Sequence, residues 1–421
     1  MLDQIAGSRA PAEQVLHDWG RAHRYAGSKD RRAIADRVYR CLRNRVRLVW
    51  AGGGEGGRTL VLFSLALTDG LPLAEIEPLY SGAGYGPEPL TPGERARLSS
   101  VGGEPPEWVR AGLPAFAAAD FQRRFGDDWA AEAEALMTPR APIDLRVNAL
   151  KGSLEEAAEA LGAENLQPEP TPYSAWGLRL PAEPPPNVQA LPAFRDGRVE
   201  IQDEGSQLAA WLARAAPGET VVDYCAGGGG KTLALRQDQR GEGTLVACDV
   251  DPKRVAAVRP RLERAGLAAD LRVLGPDGTG VEDLEGAADL VFVDAPCSGS
   301  GTWRRRPETA WKLDEAAVER FHDTQVTVLR RAARLVRPGG RLVYVTCSVL
   351  GRENEDSAAT FAAEHSDFTP ARVATAVDTP DLTDAGRARL AELAGDGHTL
   401  QLTPRRTGTD GFFIALFERS A

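Results

Sequence analysis

"ETVVDYCAGGGGKT" spans Glu219 to Thr232. An apolar, β-branched run ends at Asp223, a glycine-rich turn follows, and a helix-compatible segment begins near Lys231. The GKT ending invites a nucleotide-triphosphate loop. That pattern needs a glycine five residues before Gly230, where Cys225 stands. The GxGxxG pattern of dinucleotide folds also fails, because its third glycine would fall at Thr232 or Leu233. What remains is strand, glycine turn, helix, an arrangement that lets backbone approach a ligand closely. Asp249 closes the next strand-like run, "GTLVACD", where a carboxylate can bind the hydroxyls of a ribose.

Outward from this stretch the pattern repeats. "LRVL", "DLVFVD", "GRLVYVTC" and "GFFIALFE" read as strands, and helical segments such as "PKRVAAVRPRLERAG" and "EAAVERFHDTQVTVLRRAARLV" separate most of them. The alternation predicts an α/β domain over 206–421, with a mostly parallel sheet covered on both faces. Ligands in such sheets lie beyond the carboxyl ends of the strands, where Asp223, Asp249, Asp294 and Cys347 fall. Residues 121–205 read as a smaller α/β unit. "PIDLRVNAL" and "GLRL" are strand-like, "SLEEAAEALGA" is helical, and "GRVEIQDEGSQLAAWLARAA" passes from strand to helix. Residues 1–120 read mainly as helices.

The composition, 43% hydrophobic and 26% charged over 421 residues, is that of a globular protein able to bury a core without staples. The five cysteines form no CxxC pair and the five histidines are dispersed, which argues against a disulfide framework or a metal centre. No apolar run reaches the ~18 residues of a membrane span. The first residues lack a basic and apolar signal pattern. A reduced, cytoplasmic, monomeric protein is expected. A net charge of -10 disfavours nucleic acid when taken alone. The first fifty residues, however, carry eleven Lys/Arg, Arg9 among them, against five Asp/Glu. They form either a solvated helix face or a phosphate-contacting patch.

Two cysteines stand apart. "DAPCSGSGTWRRRPE" (Asp294–Glu308) places Cys297 just past a strand, and "VTCS" does the same for Cys347. A buried cysteine is usually a small apolar side chain, which suits Cys41 and Cys248. Cys297 and Cys347 lie where the cleft should open, and position favours a functional role. "TWRRRPETAW" (Thr302–Trp311) reads as a solvated loop or as a grip on RNA, with Arg304, Arg305 and Arg306 on phosphates and tryptophans against bases.

These segments, with "VTCSVLGRENED" and "DGFFIALF", together resemble the RsmB/Sun (NOL/NOP) family of RNA cytosine-5 methyltransferases, in the layout of its bacterial RsmB-like members. The resemblance covers 140–421, and "LRVN" and "IQDEGSQ" are similar to segments ahead of the family's catalytic domain. It implies a Rossmann-like class I methyltransferase domain on 206–421. Before that it implies a small RRM-like subdomain on 121–205 and a helical, NusB-like RNA-binding region on 1–120. It implies S-adenosyl-L-methionine as cofactor, bound by Cys225, Ala226, Gly227, Gly228, Gly229, Gly230 and Lys231 with Asp249, Asp277 and Asp294. The family's loop carries Ala-Pro where Gly227 and Gly228 stand here.

The chemistry calls for such groups. Carbon 5 of cytosine is a poor nucleophile until a thiolate adds to carbon 6, and a free thiol with a pKa of ~8.5 needs a partner that lowers it. The resemblance makes Cys347 the nucleophile, Cys297 the group that assists breakdown of the adduct, and Asp294 the hydrogen-bond partner of the base. The expected product is 5-methylcytosine in RNA, with 16S ribosomal RNA the favoured substrate. Transfer RNA and a catalytically weak, RNA-binding role in ribosome assembly are the alternatives. A DNA-type cytosine methyltransferase would instead make Cys297 the attacker.

Overall fold

The computed structural model describes residues 1–8, 10–100, 103–182 and 185–421. Arg9 of the basic region lies outside the described residues. The chain divides into two compact units. One comprises Met1–Pro139 with Thr302–Glu315, the other Arg140–Gly301 with Ala316–Ala421.

The second unit holds both sheets. The small sheet contains β1 (Ile143–Val147), β2 (Glu169–Pro170), β3 (Gly177–Leu180) and β4 (Val199–Ile201), in the antiparallel order β2-β3-β1-β4. The helix Leu154–Gly162 adds Ala157 and Leu161 to its core, and a Ser153–Glu156 capping box starts that helix. "LRVN" and "IQDEGSQ" are structural ties. Arg146, buried, donates from Nε to the Gln202 side chain at 2.7 Å. Asn148 Nδ2 donates to the carbonyls of Gly197 and Ala265 at 3.0 and 2.9 Å. Burial pulls the Arg146 guanidinium down to about 10, opposed by the charge of Glu200.

The large sheet comprises β5 (Thr220–Asp223), β6 (Thr244–Asp249), β7 (Asp270–Val273), β8 (Ala288–Asp294), β9 (Val336–Thr346), β10 (Phe368–Pro370), β11 (Thr399–Leu402) and β12 (Phe412–Arg419). Strands β7-β6-β5-β8-β9 run parallel, and β12 pairs antiparallel with β9. β10 and β11, absent from the sequence reading, pair antiparallel along the other edge of β12. The period of two sends alternate residues to opposite faces. Val221, Leu290, Phe292, Val343 and Val345 pack on one face with Leu208, Trp211, Ala234 and Leu235. Val222, Val291, Val293, Leu342 and Tyr344 pack on the other with Leu329, Ala332 and Phe361. This is the expected α/β architecture, a Rossmann-like sheet between helical layers. The chain leaves β5 toward β6 on one side and reaches β8 on the other, so the loops after β5 and β8 flank the switch point where ligands bind.

The other unit is helical. Its long helices are Ala12–Ala22, Ser28–Arg43, Gly57–Leu67 and Ala115–Phe125, and Leu42, Leu48, Leu60 and Phe63 lie in its core. It extends to Pro139, beyond the boundary at 120 read from sequence, and takes in 302–315 as well. That inclusion corrects part of the reading of "TWRRRPETAW". Trp303 is fully buried and Arg304 is 4% exposed, so neither presents a face for stacking or a surface charge. The Trp311 indole donates to the Leu42 carbonyl at 3.0 Å, and the Glu308 carboxylate accepts from the Ala12 N–H at 3.1 Å. Arg305 is half-buried and Arg306 exposed. The apolar content of the segment anchors it within the helical unit, which sequence position did not reveal. Among the described residues no helix is long and apolar enough to cross a membrane.

Candidate active site

The loop after β5 is built by backbone. The Ala226 N–H donates to the Cys248 carbonyl at 2.8 Å, and the Gly227 N–H donates to Asp249 Oδ2 at 3.0 Å. Gly227 and Gly229 have φ of 54° and 83°, a region that side-chain-bearing residues avoid. Gly229 then caps the helix Gly230–Asp238. Arg261 donates to the Gly228 carbonyl and pairs with Glu200 at 3.3 Å. This link holds the loop where Gly227 and Gly228 replace a stiffer Ala-Pro. Asp249 is 6% exposed and also accepts from the Asp251 N–H at 2.9 Å, so it organises two loops. Asp277 is exposed in a turn beyond β7.

The sulfurs of Cys297 and Cys347 lie 3.4 Å apart, just past the ends of the adjacent parallel strands β8 and β9. Both residues are partly exposed. The backbone behind them is tight. The Gly301 N–H donates to the Cys347 carbonyl at 2.9 Å, and the Gly411 N–H donates to the Gly301 carbonyl at 2.8 Å. A Cβ on Gly301 would sit 2.0 Å from the Gly411 carbonyl oxygen, so both glycines are required for this approach. The contact with Cys347 and then burial push the Cys297 thiol well above its ordinary value. Cys297 therefore stays protonated and can donate its S–H toward Cys347. Burial also pushes the Cys225 and Cys248 thiols up, the latter to about 12, which leaves them inert.

Beside the pair, Lys231 Nζ donates to Asp294 Oδ2 at 2.8 Å and lies 4.9 Å from the centre of the Phe412 ring. Burial works against the Lys231 charge, but Asp294 and the nearby Cys347 sulfur outweigh it and hold the ammonium above its usual range. Lys231 stands in the first turn of the helix Gly230–Asp238. Its side chain reaches from there to Asp294.

The structure thus brings Cys225–Lys231, Asp249, Asp294, Cys297 and Cys347 to one end of one sheet. Asp277 stands on the turn beyond β7 at that end, and Arg304–Arg306 belong to the helical unit. Two buried carboxylates at the site were not singled out as site residues from sequence. Asp223, fully buried at the end of β5, accepts from the Thr232 hydroxyl at 2.6 Å and has no hydrogen bond at Oδ1. Desolvation raises it to about 7, with the charge of Asp294 adding to the rise. Glu353 lies beneath both cysteine loops. The signal for Asp223 was its place at a strand end beside glycines. Glu353 left no signal but its closeness to "TCS".

Comparison with known proteins fits this geometry. Residues 209–418 match the family model for the 16S rRNA methyltransferase RsmB/F, and 113–186 match that for the ferredoxin-like domain of RsmF/B-like methyltransferases. A probable ribosomal RNA small subunit methyltransferase B of Bacillus subtilis is 33% identical over 281 residues, 64% of this chain and 58% of that protein. The ribosomal RNA small subunit methyltransferase B of Cronobacter sakazakii is 31% identical over 322 residues, 76% of this chain and 68% of that one. The chain thus spans between about three fifths and two thirds of these relatives' lengths. The solved structure of a methyltransferase homolog protein from Pyrococcus horikoshii is 28% identical, with a TM-score of 0.59 over 74% of this chain and 97% of its own. On sequence and fold together, the chain belongs to the RsmB/F family of 16S rRNA methyltransferases.

Proposed function

We propose that the chain transfers a methyl group from S-adenosylmethionine to carbon 5 of a cytosine in small-subunit ribosomal RNA, through a covalent Cys347–cytosine adduct. The observation that carries this reading is the pair of sulfurs 3.4 Å apart, one held as a thiol, beside a Lys231–Asp294 pair. The residues present fit the cofactor. Around Gly227 a Cβ would meet nothing closer than 4.0 Å, which leaves room for a ligand against the loop. Asp249, held at the end of β6 by the Gly227 and Asp251 N–H groups, suits ribose hydroxyls. When bound, the cofactor supplies an electrophilic methyl group.

The chain's own residues do the rest. Lys231 puts a positive charge beside Cys347. The Cys347 thiolate adds to carbon 6, and Asp294, tethered by Lys231, accepts a hydrogen bond from the cytosine edge. Electron density then moves to carbon 5, which takes the methyl group. After transfer a water molecule takes the carbon 5 proton, and the electrons of that C–H bond re-form the C5–C6 double bond. The C6–sulfur bond breaks to return Cys347 as a thiolate, with Cys297 assisting by donating its S–H toward that sulfur. The base must be unpaired or flipped out, because the thiolate approaches its face. Arg306 and the exposed Arg24, Lys29 and Arg32 of the helical unit supply charge for RNA phosphates.

The test is to incubate the protein with methyl-labelled cofactor and separate preparations of ribosomal and transfer RNA, then map the label. Label on carbon 5 of cytosine in small-subunit RNA is expected. Label confined to transfer RNA would redirect the substrate assignment. Label on another atom or base would sink the cytosine reading.

A further inference from the structure

Glu353 is fully buried, yet the steps above do not use it. Its Oε1 accepts from the Ser298 N–H at 2.7 Å and from Gln325 Nε2 at 3.2 Å. Its Oε2 accepts from the hydroxyls of Ser298 and Ser348 at 2.5 and 2.6 Å. Ser298 follows Cys297, and Ser348 follows Cys347. One carboxylate therefore joins the two loops that carry the two sulfurs. Its own backbone is held as well. The Tyr344 hydroxyl donates to the Glu353 carbonyl at 2.5 Å, and the neighbouring Asn354 donates to the Ser348 carbonyl at 3.0 Å. Ser300 and Ser348 close the ring through their hydroxyls at 2.9 Å.

We propose that Glu353 is a positioning residue: by bridging Ser298 and Ser348 it sets the separation of the Cys297 and Cys347 sulfurs, and with it the division of labour between release and attack. The claim rests on the methyltransferase reading for its catalytic consequence. The arrangement has a chemical logic. Four donors converge on one acceptor group, which a neutral amide can only partly replace. The Glu353 charge also contributes to keeping the nearby Cys297 protonated. Burial pushes the Glu353 carboxyl itself upward, against the hydrogen bonds from Ser298 and Ser348 that favour its charged form.

The test uses the full-length chain. Dibromobimane links two thiols only when they lie close together, and peptide mass spectrometry identifies a Cys297–Cys347 product. Wild type should cross-link, E353Q should retain most of the product, and E353A should lose it while still melting cooperatively and binding cofactor. The S298A/S348A double variant removes the two hydroxyls without emptying the carboxylate site, so it tests the bridge if E353A fails to fold. It too should lose the cross-link. In turnover, E353A should lower kcat by about 100-fold with little change in KM, as expected for a misplaced nucleophile, and E353Q should recover part of that loss. Wild-type cross-linking and kcat in both E353A and S298A/S348A would overturn the proposal. A wild type that cross-links normally but methylates no RNA would overturn the methyltransferase reading and the catalytic role given to Glu353. The cross-link reports the bridge in either case.

Discussion

At the scale of single residues, the two cysteines should fail in different ways. Cys347→Ala removes the proposed nucleophile, so no adduct should form and methylation should stop. Cys297→Ala leaves attack and transfer possible but slows release, so a denaturation-resistant complex with RNA should accumulate. Denaturing gels separate the two outcomes. A trapped complex from Cys347→Ala with none from Cys297→Ala would reverse the assignment. Asp223 makes a second prediction. Its folded value of about 7 lies above its ordinary 3.8, so between these pH values the folded state holds more protons than the unfolded chain. The stability it contributes is therefore present at low pH and is lost as pH rises through that window. Asp223→Asn cannot ionise and can still accept from Thr232. Denaturant titrations at about pH 4 and about pH 7 should show a fall in wild type that is smaller in the variant. Equal falls would place the proton elsewhere.

At the scale of elements, function depends on loops pressed against the ends of strands. Gly301→Ala would put a Cβ into the Gly411 carbonyl, so the loop carrying Cys297 must move. Methyl transfer should collapse while cofactor binding to the separate β5 loop changes little. Equal losses in both would mean that the substitution unfolds the domain instead. The glycine loop after β5 rests on Arg261, itself paired with Glu200 of the small sheet. Arg261→Ala should weaken cofactor binding by about 1 kcal/mol, the usual worth of one hydrogen bond. Calorimetry showing unchanged affinity would mean that the loop keeps its shape without Arg261.

At the scale of the whole molecule, charge is unevenly placed. The chain carries -10 overall, yet its first fifty residues are strongly basic. RNA affinity should therefore fall steeply with added salt despite the acidic total. Arg306→Ala should lower the slope of that dependence by somewhat less than one, the mark of a lost phosphate contact. Arg304→Ala, at a buried side chain, should act on thermal stability more than on the slope. A slope altered by Arg304→Ala and untouched by Arg306→Ala would reverse these roles.

Much of this protein was legible in its sequence, because periodicity is a local property. β6, β8, β9 and β12 are apolar runs long enough to show themselves, the short β5 is marked by the glycine turn that follows it, and their alternation with helices announced the layered sheet. The motifs around Cys297 and Cys347 were legible for the same reason, since each is a short strand-end signature. β10 and β11 were not. They are three and four residues long, and pairing with β12 makes them strands more than their own side chains do. The segment 302–315 was misread in part because burial is a relation between distant residues. Nothing in "TWRRRPETAW" says that Trp311 will find the Leu42 carbonyl. The site divides along the same line. Sequence named the sulfurs, the glycines and Asp249, whereas only the fold could bring the sulfurs to 3.4 Å, seat Lys231 on Asp294 and place Glu353 under both cysteine loops. Those contacts join residues far apart in the chain, and they exist only once β5, β8 and β9 lie side by side.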